Sequence, residues 1–144
     1  VATRNGIKNM PGSGEIKNLG NVAYEILEPV RAKFEKPVMI NSGYRCLELN
    51  RKIGSSDSSQ HTKGMAVDFE IIGTPNIQVA YWIQNNCDFD QLILEFYKPD
   101  EDNAGWIHAS YCDGNNRKQV LTFDGKTYSD GLPDMEWKDG KVKL

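Results

Sequence analysis

The chain has 144 residues, with 17 Lys and Arg against 20 Asp and Glu, for a formal net charge of −3. That length suits one domain and is enough to bury a core without disulfide or metal staples. An apolar share of 39% and a charged share of 26% exclude a disordered chain, and the mildly acidic balance argues against a nucleic-acid binder, which would carry a basic face. No apolar stretch approaches the roughly 20 residues of a membrane-spanning helix. The first residues lack the apolar core of a signal peptide, so nothing in them directs secretion, and whether a leader has been removed stays open. The cysteines, at 46, 87 and 112, are odd in number and form no Cys-x-x-Cys pair. They read as small buried hydrophobes in a protein made in a reducing compartment.

In chain order, residues 1–14 are rich in Gly, Asn and Pro and read as an irregular arm. Leu19, Val22, Ala23, Ile26, Leu27, Val30 and Phe34 recur at three- and four-residue spacing, the apolar stripe of a helix that Pro29 should kink or break. Residues 38–42 read as a short buried strand and residues 46–53 as a brief helix. The run GSSDSS at 54–59 reads as a loop. From Met65 the pattern alternates: Met65, Val67 and Phe69 face one way, and Ala66, Asp68 and Glu70 the other, a strand with one covered face. A helix is expected over 76–87. Strands are expected over 89–96 and 106–111, paired antiparallel across a polar loop, with a last strand over 118–123. The whole predicts an α+β domain with a small antiparallel sheet and flanking helices. Residues 1–144 are expected to form this single domain, with its core at about 15–123 and a tail from 124.

Only two histidines occur, His61 and His108, both in structured segments, and Asp68 lies on the less apolar side of its strand. Two imidazoles and a carboxylate are the three-ligand set of a catalytic zinc site, which leaves a fourth position for water. The helical His-Glu-x-x-His motif is absent. Singly, each histidine reads first as a structural residue; the joint pattern carries the metal reading.

The stretch Ser59-Gln60-His61-Thr62-Lys63-Gly64-Met65-Ala66-Val67-Asp68 resembles the Ser-x-His-x-x-Gly-x-Ala-x-Asp motif of the M15 zinc peptidases. These are D-Ala-D-Ala carboxypeptidases and related peptidoglycan endopeptidases with a hedgehog-like fold. Trp106-Ile107-His108 looks like the segment carrying that family's last metal ligand. Asn41 to Arg45 and Leu49-Asn50 look like the segment before its first. The resemblance implies one Zn2+ held by His61, Asp68 and His108. Some members carry an acidic residue three positions before the last histidine; here that position is Gly105. Glu95, followed by the aromatic Phe96, is the candidate base, with Asp100, Glu101 and Asp102 reading as a solvated loop and Glu70 as a pairing or supporting carboxylate. Arg45 is expected to hold an oxyanion or a substrate carboxylate, with a structural ion pair as the equal alternative. Ser59 and Trp106 are expected to bind substrate; Ser59 otherwise bonds near the metal site or shapes its loop, and Trp106 otherwise packs in the core.

The resemblance therefore implies a zinc peptidase cutting peptidoglycan stem peptides, as a carboxypeptidase or an L-Ala–D-Glu type endopeptidase. A phage endolysin, monomeric, made in the host cytoplasm and acting on the cell wall, is the expected setting. The alternative is a non-catalytic zinc-containing module of the same fold that binds wall material or a partner. No nucleic-acid or membrane partner is expected.

Overall fold

The computed structural model describes residues 2–134, together with the backbone of two short paired strands at Trp137–Lys138 and Lys141–Val142. Helix α1 (Ser13–Val22) runs through a π-helical turn (Ala23–Leu27) into α2 (Glu28–Phe34). The expected break at Pro29 is thus a π turn inside a continuous helix. The proline ring would collide with the carbonyl four residues earlier, and one wider turn just before it relieves that clash. Then come β1 (Met39–Ser42), α3 (Leu47–Lys52), a 3-10 turn (Gln60–Lys63), β2 (Ala66–Glu70) and α4 (Asn76–Asn86). Strands β3 (Gln91–Glu95), β4 (Trp106–Ser110), β5 (Gln119–Phe123) and β6 (Tyr128–Asp130) complete the domain.

The six strands form one sheet in the order β1-β2-β4-β3-β5-β6. It is antiparallel except between β3 and β5. Three expectations need correction. Residues 38–42 are not a buried strand: β1 is a sheet edge with Met39 and Ile40 exposed, because a short apolar run does not reveal whether both faces are covered. The strand over 119–123 is not the last: β6 follows it, through a turn in which Asp124 Oδ1 accepts bonds from the amides of Lys126 and Thr127 at 2.8 and 2.7 Å. Its Asp124-Gly125 pair was the available signal for that hairpin. The cysteines are free thiols, but only Cys87 is buried. Cys46 instead caps α3, its sulfur accepting from the Leu49 amide at 3.5 Å.

The first residues are also less irregular than their composition suggests. Ile7 is buried, and the Asn9 side chain bonds the Tyr44 carbonyl and the Cys46 amide at 3.0 and 2.7 Å, tying the arm to the loop before α3.

One face of the sheet is the core. Val67, Phe69, Leu92, Leu94, Ile107 and Ala109 bury there against Val22, Ile26 and Val30 of the long helix and Val79, Ala80 and Ile83 of α4. Because side chains alternate along a strand, the residues between them face the other way. Cross-strand register aligns two rows on that second face. One runs Asp68, His108, Ile93, Leu121; the other runs Trp106, Glu95, Phe123, Tyr128.

Candidate metal centre and cleft

Asp68, His108, Ile93, Trp106, Glu95 and Tyr128 from these rows line a cleft of about 380 Å³, together with Arg45, Ser59 and His61. Ligand atoms of His61, Asp68 and His108 lie within 4.8 Å of one another. Asp68 and His108 are direct cross-strand partners. His61 arrives from the 3-10 turn, whose cap is Ser59: its Oγ accepts from the His61 amide at 3.3 Å. Gly64 closes that turn at φ +71°, and a Cβ there would come within 2.5 Å of the Glu15 carbonyl oxygen of α1. The motif glycine therefore satisfies both a left-handed backbone and a close helix approach.

The segment before the first ligand is a brace. The Gly43 carbonyl lies 2.8 Å from His61 Nδ1, and the Arg45 amide donates to the His61 carbonyl at 3.0 Å. A carbonyl only accepts, so Nδ1 carries the proton, and the lone pair of a neutral imidazole sits on Nε2. That atom faces Asp68 Oδ2 at 3.4 Å, while Asp68 Oδ1 lies 3.0 Å from His108 Nδ1. A lone pair aimed at a carboxylate calls for a cation between them. A divalent metal with N and O ligands meets that demand, so the donor set fits zinc. Burial pushes the Asp68 carboxyl up, but the neighbouring imidazoles of His108 and His61 outweigh it and hold Asp68 well below the usual carboxylate range. It is ionised and ready to ligate.

Glu95 ends β3 on the same face, opposite Trp106. Burial raises its pKa; His108 opposes that and Asp68 adds to it. Gly105, where some relatives by resemblance carry an acid, has φ +71°, and a Cβ there would overlap the Glu95 carbonyl oxygen. No side chain fits at 105, and the nearby carboxylate in the cleft is that of Glu95.

Arg45 lines the cleft with its Nη1 only 3.4 Å from Ser42 Oγ, and its Nε is buried without a partner. Among the described residues it makes no salt bridge within 4 Å. Burial lowers its pKa and the Asp68 charge raises it again. Trp106 is half-buried at the cleft, its ring 4.9 Å from that of Phe96. Asp100 to Asp102 and Glu70 do not line the cleft.

Sequence reasoning missed Asp90, Gln60 and Arg117. Asp90 is buried; its Oδ1 accepts from the Arg117 amide and Nε, and its Oδ2 accepts from Arg117 Nη2 at 2.8 Å and from Gln60 Nε2 at 2.7 Å. This carboxylate fixes the residue next to His61 to the start of β5. Tyr128, also in the cleft, comes from the tail. Asn50 was noted only as part of a resemblance; it is fully buried and bonds the Ser56 carbonyl at 2.7 Å, which pins the 54–59 loop at the cleft rim.

His61, Asp68 and His108 form a group that could hold a metal ion, and Glu95 and Arg45 line the same cleft. The family model for Peptidase M15 matches residues 2–109, and the chain belongs to that family. No curated protein matches it. Family membership makes it a metallopeptidase of a zinc-dependent class.

Proposed function

We propose that this protein hydrolyses amide bonds in the stem peptides of bacterial peptidoglycan, with His61, Asp68 and His108 as zinc ligands and Glu95 as general base. The observation that carries the reading is the placement of Glu95 in the same cleft, and on the same sheet face, as Asp68 and His108. When bound, zinc polarises a carbonyl and acidifies water. Glu95 accepts the proton of the attacking water as its oxygen adds to the scissile carbonyl carbon. The carboxyl then delivers that proton to the leaving nitrogen as the C–N bond breaks. A carboxylate partly withdrawn from water is a stronger base than an exposed one, which is what its raised pKa expresses. Arg45 offers guanidinium donors to the oxygen that gains charge, or to a carboxylate of the substrate. Ser59, whose Oγ accepts from the His61 amide, and Trp106 line the cleft where they would contact substrate. Endolysin-type action on the wall, as a monomer, is the setting that suits this chemistry.

Digestion of purified peptidoglycan with and without a chelator, read by mass spectrometry of the fragments, tests the proposal. Chelator-sensitive new amino termini are the expected result, and their sequence names the bond. Intact peptidoglycan after incubation with the zinc-loaded protein would overturn it.

A further inference from the structure

Segment 110–134 lies beyond the family match yet builds one wall of the cleft. From it, Phe123 and Tyr128 extend the row begun by Trp106 and Glu95. Their rings stack at 4.4 Å with planes 24° apart. Phe96 joins them, 4.9 Å from Trp106 and 5.2 Å from Phe123. Apolar rings on a surface normally seek burial, but Phe96 is 40% exposed and Tyr128 55%. The shelf is also built at a cost. Phe96 has φ +52°, a left-handed backbone that bulky residues avoid and that clusters at ligand sites. The hairpin turn clamps it: a Cβ on Gly125 would lie 3.3 Å from the Phe96 ring.

We infer that this aromatic shelf is a saccharide subsite, which binds the pyranose ring of the glycan joined to the stem peptide. The inference rests on the proposed peptidoglycan substrate. Stem peptides consist of small and charged residues, which give flat aromatic rings little to pack against. A pyranose offers a flat C–H face for the rings and a polar rim for donors. Gln91 and Arg117 line the same cleft, toward the other end of β3 and β5 from the shelf. Continuity of the shelf with the row that carries Glu95 places the sugar close to the bond that is cut, so glycan-proximal amides are preferred over those at the far end of the stem.

The test compares a muropeptide with the identical peptide lacking sugar, as the ratio of their kcat/KM values. The wild-type ratio exceeds one; in Tyr128→Ala it falls about tenfold, mainly through KM, and Tyr128→Phe keeps it. A second measurement titrates a peptide-free amino-sugar disaccharide into the zinc-loaded protein by NMR. The Trp106 indole and the Tyr128 ring shift in the wild type, and the Trp106 shift disappears in Tyr128→Ala. An unchanged ratio, with no disaccharide shifts, overturns the subsite while hydrolysis of both substrates leaves the peptidase reading standing. Hydrolysis of neither substrate, with disaccharide shifts present, overturns the peptidase reading and leaves the subsite.

Discussion

Leu94 and Glu95 are neighbours in β3 and meet opposite environments. Leu94 is fully buried on the helix-covered face, and Glu95 stands in the open cleft beside His108 and Trp106. The same division runs through β2, with Phe69 in the core beside Asp68 in the cleft, and through β4, with Ile107 beside His108. Period-two alternation has sorted stability onto one face and chemistry onto the other. A substitution should therefore affect folding or turnover according to the parity of its position. A one-residue register slip would exchange the two sets, so the core face also fixes the geometry of the proposed metal ligands.

Metal removal is the largest expected break in this division. Chelation should abolish turnover, and added zinc should restore it. The core face contains no proposed ligand, so the far-UV circular dichroism of the metal-free protein should stay that of a folded domain. Collapse to an unfolded spectrum would show that the two faces are energetically one. Next in size is Glu95→Gln. Loss of a general base costs roughly 10²–10⁴ in rate, while zinc content and melting temperature should hold, because the change adds no volume and empties no cavity. Full activity in this variant would remove Glu95 as the base.

Its neighbour supplies the reciprocal test. Leu94→Ala deletes buried methyl groups and should cost about 2–5 kcal/mol of stability, read from denaturant melts. The fraction still folded should turn over substrate at a rate close to wild type. A large loss of kcat per folded molecule would mean that the core face does more than hold the cleft face in register.

Much of this division was legible in the sequence. Alternation from Met65 to Glu70 separated the two faces, and helical spacing from Leu19 to Phe34 selected the stripe that covers one of them. The His61, Asp68 and His108 group, which could hold a metal ion, was legible because the chain has only two histidines and one of them falls with Asp68 in a motif. What stayed hidden depends on long-range contacts. Whether Arg45 pairs with a carboxylate is decided by which groups fold near it, and the edge position of β1 by which strands lie beside it. Strand β6 is three residues long and exposed, so its hydrophobic pattern is too short to read. Asp90 and Arg117 are 27 positions apart and look like two surface charges until β3 and β5 pair.

That hidden pair carries the smallest of the expected effects, and it lies where the two faces meet. Hydrogen bonds from Arg117 are the main reason the buried Asp90 carboxyl is lowered to about 2, against the opposing effect of burial and with help from Gln60. The folded state thus holds this proton less tightly than the unfolded chain, whose aspartates titrate near 3.8. The pair stabilises the fold fully above the unfolded value, and the contribution, about 2 kcal/mol, is lost as pH falls from about 4 towards 2. Urea melts across that range should show the loss in wild type and a flatter profile in Asp90→Asn, which has no charge to lose. Because Asp90 also anchors Gln60, the residue before His61, the same variant should bind zinc more weakly at neutral pH while keeping Glu95 in place. Unchanged zinc affinity would show that the Gly43 and Ser59 bonds alone orient His61, and that the cleft face is held independently of the strand ends.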